Sequence, residues 1–263
     1  MDELADGVPP VPSWPGRGDN QSGAQQKHVK INFPCNFGES SLSYAAQRGH
    51  AAVVALLLAQ EDVNVNIQSQ NGSTPLLLAS ICGQEATVRL ILTHKHVNVD
   101  TKNNLGASPL LHASQNGHRA VLDLFLAHKD VDVNSASVNG LTPLSVASTN
   151  GHETVVRSIL AQEHVKINTK SKTGRSPLLC AAGEGHVAVV DLLLSQKDID
   201  INNRDLEGDT LLFAASECGH EEVVRLLLAH KHIDVNCKNK FGEMPLSGAA
   251  NNGHEVIISL QSL

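Results

Sequence analysis

The feature that most constrains this chain is a period. Glycine recurs at Gly38, Gly72, Gly106, Gly140, Gly174, Gly208 and Gly242, and again eleven residues later at Gly49, Gly83, Gly117, Gly151, Gly185, Gly219 and Gly253. Both series advance by 34 residues without a slip. Between the glycines every unit carries a Leu, from Leu42 and Leu76 to Leu212 and Leu246, and an Ala three residues on, from Ala45 and Ala79 to Ala215 and Ala249. Seven units are in register, and self-similarity at this period is the mark of a stacked repeat architecture.

Each recurring slot has a physical reason. The first glycine, in contexts such as Asn71-Gly72 and Asn139-Gly140, supplies the positive φ of a tight turn. A Thr or Ser then caps a helix that opens on Pro, as in Thr74-Pro75, Ser108-Pro109, Thr142-Pro143 and Ser176-Pro177. The Leu and Ala share one face of that short helix, and the small Ala lets the next unit approach closely. The second glycine ends it, and the following residue, usually His, opens a second helix. In the sixth unit that helix carries Val223, Val224, Leu226, Leu227 and Leu228, followed by Ile233-Asp234-Val235-Asn236, which is expected to be extended. Only 3% of residues are aromatic, so the core must be Leu, Val, Ile and Ala, which suits close-packed helices better than a β-sandwich.

This pattern resembles the ankyrin repeat, whose T-P-L-H-x-A signature is matched at Ser108-Pro109-Leu110-Leu111-His112-Ala113 and at Thr142-Pro143-Leu144-Ser145-Val146-Ala147. The resemblance covers residues 29 to 263 and implies an all-α solenoid, a β-turn plus two antiparallel helices per unit, elongated and curved. The departures are an extra residue per unit around His230-Lys231-His232, and the missing Pro at Ser40-Ser41 and Thr210-Leu211, where the first helix is expected to start less rigidly.

Residues 1 to 28 hold Pro9, Pro10, Pro12 and Pro15 without apolar periodicity and are expected to be a disordered tail. Within it, Arg17-Gly18-Asp19 matches an integrin tripeptide by chance more readily than by design, and the Pro-rich stretch around Trp14 is a polyproline II docking candidate beside the simpler reading of a solvated tail. At the other end Gln261 and Ser262 replace Leu227 and Leu228 of the preceding unit. The last unit is therefore either a polar cap or an incomplete one.

The formal charge of −7 disfavours nucleic acid, which needs clustered Lys and Arg. No apolar run approaches a membrane span, and the acidic start is unlike a signal peptide or presequence, so the expectation is a cytoplasmic protein, with the nucleus as the alternative. Sequons at Asn20 and Asn71 matter only in a secreted chain. Five cysteines without CxxC spacing read as reduced thiols, so no disulfide framework or zinc site is expected. Six of the 14 histidines fall in the slot after the second glycine, where the resemblance implies structural bonding between units. The alternating column Asp62, His96, Asp130, His164, Asp198 and His232 is spaced too widely to share a metal and reads as a solvated loop with weak pairing. With no nucleophile elbow, phosphate loop or H-E-x-x-H motif, neither catalytic residues nor a cofactor nor a metal is expected.

In the resembled family the turn tips and first-helix face bind protein partners. Those slots vary here while the scaffold slots do not. Five tip positions are apolar: Leu105, Val138, Leu141, Leu206 and Phe241. An apolar line there is a binding hypothesis centred on Leu105, Val138 and Leu141, with Lys172 and Arg175 as a basic flank. The groove face adds Gln115, Asn116, Thr149 and Asn150, as well as Glu184 and Glu217. The resemblance implies a monomeric, non-catalytic scaffold for a protein partner. The alternatives are an inhibitor that occludes an enzyme surface and the recognition arm of a larger signalling receptor.

Overall fold

A computed structural model of the chain describes residues 30–262. The Pro-rich segment, with Trp14 and Arg17-Gly18-Asp19, lies outside the described residues. The chain separates into Met1–Lys30 and Ile31–Leu263, and the second unit carries 14 helices and, among the described residues, no strand. The first helix of each repeat is α1 (Ser41–Gln47), α3 (Pro75–Ile81), α5 (Pro109–Gln115), α7 (Pro143–Thr149), α9 (Pro177–Gly183), α11 (Leu211–Glu217) or α13 (Pro245–Asn251). The second is α2 (Ala51–Leu58), α4 (Glu85–Leu92), α6 (Arg119–Leu126), α8 (Glu153–Leu160), α10 (Val187–Leu194), α12 (Glu221–Leu228) or α14 (Glu255–Gln261). Each helix packs on its partner within the repeat and on the equivalent helix of the next, which is an all-α solenoid.

The helices are set by their caps. Ser40, Thr74, Ser108, Thr142, Ser176 and Thr210 are extended, and each hydroxyl accepts a bond from the backbone N–H three residues on. The helices after Ser40 and Thr210 lack Pro yet run the same 7 residues as those that have it, because the hydroxyl cap fixes the start. Repeat seven inverts the arrangement. Met244 has no capping oxygen, and the Met244 N–H instead donates to Ser247 Oγ at 2.7 Å. Val235 and Asn236 form a turn rather than continuing the extended segment expected there.

The larger of two hydrophobic clusters runs through all seven repeats. Leu42, Leu76, Leu110, Leu144, Leu178 and Leu212 are at most 2% exposed, whereas Leu246, the same slot in repeat seven, is 37% exposed. Gln261 occupies the slot of buried Leu227, and its amide donates to Ser216 Oγ at 2.6 Å, so a polar side chain is satisfied where the other repeats place hydrocarbon.

Three hydrogen-bonded seams register one repeat on the next. Along the tips, the Gln70, Asn104, Val138, Lys172, Leu206 and Lys240 amides donate to the carbonyls of Phe37, Asn71, Leu105, Asn139, Thr173 and Glu207, each at 2.9–3.0 Å. Between the helix rows, Nε2–H of His118, His152, His186, His220 and His254 donates to Ile81, Gln115, Thr149, Gly183 and Glu217 carbonyls at 2.8–3.0 Å. Gln84 holds the same slot and reaches the Gln47 carbonyl at 3.3 Å. These five histidines are therefore structural, as their repeat position implied.

The third seam is an asparagine bracket on the outer loops. Asn66 donates to His96 O at 2.7 Å and accepts from Asn98 N at 2.8 Å, and Asn32, Asn134 and Asn168 make the equivalent pair. The Asp/His column thus contributes backbone carbonyls to the seam at Asp62, His96, His164 and Asp198, while its side chains are exposed. Among the described residues no group of three or more His, Cys, Asp or Glu is placed to hold a metal ion.

Asp100 and Asn202 stand in the same slot without making this pair. An ionised carboxylate has no proton to donate to the Asp130 carbonyl, and Asp100 Oδ2 instead accepts from Ser135 Oγ at a long 3.5 Å. Burial raises its pKa, with Asp132 adding to the shift and Lys102 opposing it. Asp100→Asn is expected to add a bracket to the Asp130 carbonyl and the Asp132 amide and stabilise the array by about 1 kcal/mol at pH 7. Because the folded-state pKa lies above the unfolded one, Asp100 supports folding when protonated, and that contribution fades as pH rises through the folded value. The advantage of Asn should therefore shrink in acid. Urea melts of both proteins at neutral and acid pH measure it, and equal midpoints at pH 7 would refute it.

Candidate interaction surface

The tips are presented by the same seam that registers the repeats. With both backbone groups of the ladder committed, only side chains project from the row. Leu105 is 58% and Val138 49% exposed, and they are neighbours, because the Val138 amide donates to the Leu105 carbonyl at 2.9 Å. Leu206 and Phe241 project from successive tips at 55% and 70% exposure. The apolar row is therefore one adjacent pair and two separate residues: Leu206 N donates to Thr173 O, and the ladder neighbours Glu207 and Lys240 lie between Leu206 and Phe241.

Two of the expected site residues behave differently. Leu141 is half-buried against Ala107, Leu111 and Val146, so it belongs to a small core beneath the tips rather than to the projecting row. Arg175 does not form a basic flank with Lys172. Its Nε lies 3.5 Å from Asp205 Oδ2, a carboxylate only 8% exposed, so its charge is spent within the protein. Exposed Phe37 is a further apolar tip, which its position beside Gly38 made visible in the sequence.

The groove slots are partly committed to their own helices. Asn116 and Asn150 donate to the carbonyls of His112 and Val146, and Thr149 Oγ1 donates to Ser145 O at 2.9 Å. The Gln115 and Thr149 carbonyls accept the histidine bonds from the next repeat. These residues line a floor of uncharged groups held in fixed rotamers.

Farther along, the floor becomes acidic. Asn239 Nδ2 donates to both Asp209 Oδ1 at 2.9 Å and Glu243 Oε2 at 3.1 Å, clamping carboxylates of successive repeats side by side. Burial raises the pKa of Asp209 and of Glu217, and neighbouring carboxylates add to both shifts, whereas Arg175 opposes them. The cysteines at this surface, Cys82 and Cys218, are exposed, and burial is the first cause holding both thiols above their ordinary pKa, so they are weak nucleophiles.

A family model for ankyrin repeats, three copies in length, matches residues 21–103, 91–171, 110–205 and 159–239, together more than half of the chain. The chain belongs to the ankyrin repeat family. No curated protein matches it. Ankyrin repeats are in general protein–protein interaction modules and typically non-catalytic. Among the described residues no helix is long and apolar enough to cross a membrane.

Proposed function

We propose that this ankyrin-repeat chain is a non-catalytic interaction scaffold that binds a protein partner through its turn tips and groove floor. The observation that carries this reading is the adjacent pair Leu105 and Val138. Both are about half exposed, and the Val138 amide and Leu105 carbonyl are bonded to each other. Scattered apolar side chains on a surface are ordinary, but a paired and rigidly mounted set gains free energy when a partner covers it. Lys172, Leu206 and Phe241 extend the surface along the tips, and Gln115, Asn116, Thr149 and Asn150 supply hydrogen-bonding groups beneath it.

The test is affinity capture from source-cell lysate with the wild-type chain and the Leu105→Ser/Val138→Ser double variant, with thermal melts of both. Leu141 is left intact because its burial makes it a folding residue. A protein retained by the wild type and lost by an equally stable variant is the expected result. Equal retention by both would remove the central tips from the function.

A further inference from the structure

The groove floor changes character along its length, and this selects a partner. In repeats two to four the tip-side slot reads Ser73, Ala107 and Leu141, and the helix-end slot reads Cys82, Asn116 and Asn150, all uncharged. In repeats five to seven Glu184, Asp205, Asp209, Glu217 and Glu243 share one neighbourhood with a single guanidinium, Arg175, which Asp205 already engages. The Asn239 amide is the one group bonded to both Asp209 and Glu243. From the tips of repeats six and seven project Leu206 and Phe241, at 55% and 70% exposure, with the ladder neighbours Glu207 and Lys240 between them.

We infer that the groove of repeats five to seven is a docking surface for a basic segment of a protein partner, extended along the stack, whose Lys or Arg side chains reach the acidic floor while apolar residues pack on Leu206 and Phe241. This rests on the scaffold reading above and adds the partner's chemistry. Charge complementarity favours it, since carboxylates held close and partly buried are relieved by an incoming cation and oppose a phosphate-rich surface. Geometry sets a spacing. Neighbouring helices lie about 10 Å apart, and a polyproline II chain has three residues per turn and advances about 3.1 Å per residue, so cations three positions apart share one face and meet successive repeats.

The experiment is fluorescence anisotropy of the full chain with a fluorescein-labelled peptide repeating Lys-Leu-Ser, beside the same peptide with Glu for Lys. The Asp209→Asn/Glu217→Gln/Glu243→Gln variant keeps side-chain shape while removing charge. The lysine peptide should bind and the glutamate peptide should not. The variant should lose about tenfold or more in affinity, with an unchanged or higher melting temperature, and added salt should weaken the wild-type complex. Equal binding of the two peptides, or undiminished binding by the variant, would overturn the inference. So would calcium chloride binding at these carboxylates in a chain that ignores the peptide. The two readings fail separately. If a captured partner depends on Leu105 and Val138 while the lysine peptide does not bind, only the basic-segment inference falls.

Discussion

Gly174→Ala is expected to lower the stability of the array by about 3 kcal/mol, and Gly242→Ala by only about 1. The two glycines have the same backbone conformation, φ +81° and +80°, so both variants carry the strain of an L residue in the left-handed region. They differ in what lies beside them. A Cβ on Gly174 would sit 2.7 Å from the Leu206 amide nitrogen and 2.9 Å from the Asp205 carbonyl carbon, whereas nothing lies within 4 Å of one on Gly242. Backbone cannot rotate away as a side chain can, so the tip of repeat six must move and the bond from Leu206 N to Thr173 O is lost. The difference between the two variants thus isolates the contact between repeats from the turn itself. Urea-unfolding midpoints measure it, and equal losses at the two sites would mean that the tip seam contributes nothing to the stack.

Phe125→Ala should be more damaging still, at about 3–5 kcal/mol, because it removes the largest fully buried side chain from the middle of the column. Phe125 occupies the slot held by Ile91, Ile159, Leu193 and Leu227 in neighbouring repeats, all 0% exposed. Phe125→Leu, which matches two of those slots, should cost about 1 kcal/mol. Since each repeat contacts only its neighbours, a cavity in repeat three weakens coupling between the two ends, and the alanine variant should unfold over a broader denaturant range as well as earlier. A single sharp transition with an unchanged midpoint would show that the site collapses around the smaller residue.

Much of this architecture was legible in the chain alone. The slot-by-slot recurrence of Gly, Thr or Ser, Pro, Leu, Ala and His located the first helix of repeats one to six and the opening of each second helix, because each of those residues answers a local requirement of backbone conformation, capping or close packing. The asparagine bracket was equally present, since Asn32, Asn66, Asn134 and Asn168 recur at multiples of the same period, yet its meaning depended on partners 30 and 32 residues away in the next repeat.

The surface was legible in part. Leu105, Val138, Leu206 and Phe241 project as their tip positions implied, but Leu141, at an equally apolar tip slot, turns inward onto Leu111 and Val146. Lys172 and Arg175 read as a basic pair only until Asp205, a full repeat away in sequence, is set beside Arg175. The acidic floor is likewise assembled from residues dispersed between Glu184 and Glu243. Sequence by itself determined the period, the caps and the buried column, because those follow from backbone conformation and hydrophobic burial within one repeat and its copies. Only the tertiary structure decided which surface side chains stay exposed and which charges meet, because exposure and electrostatic pairing depend on distances through space between neighbouring repeats.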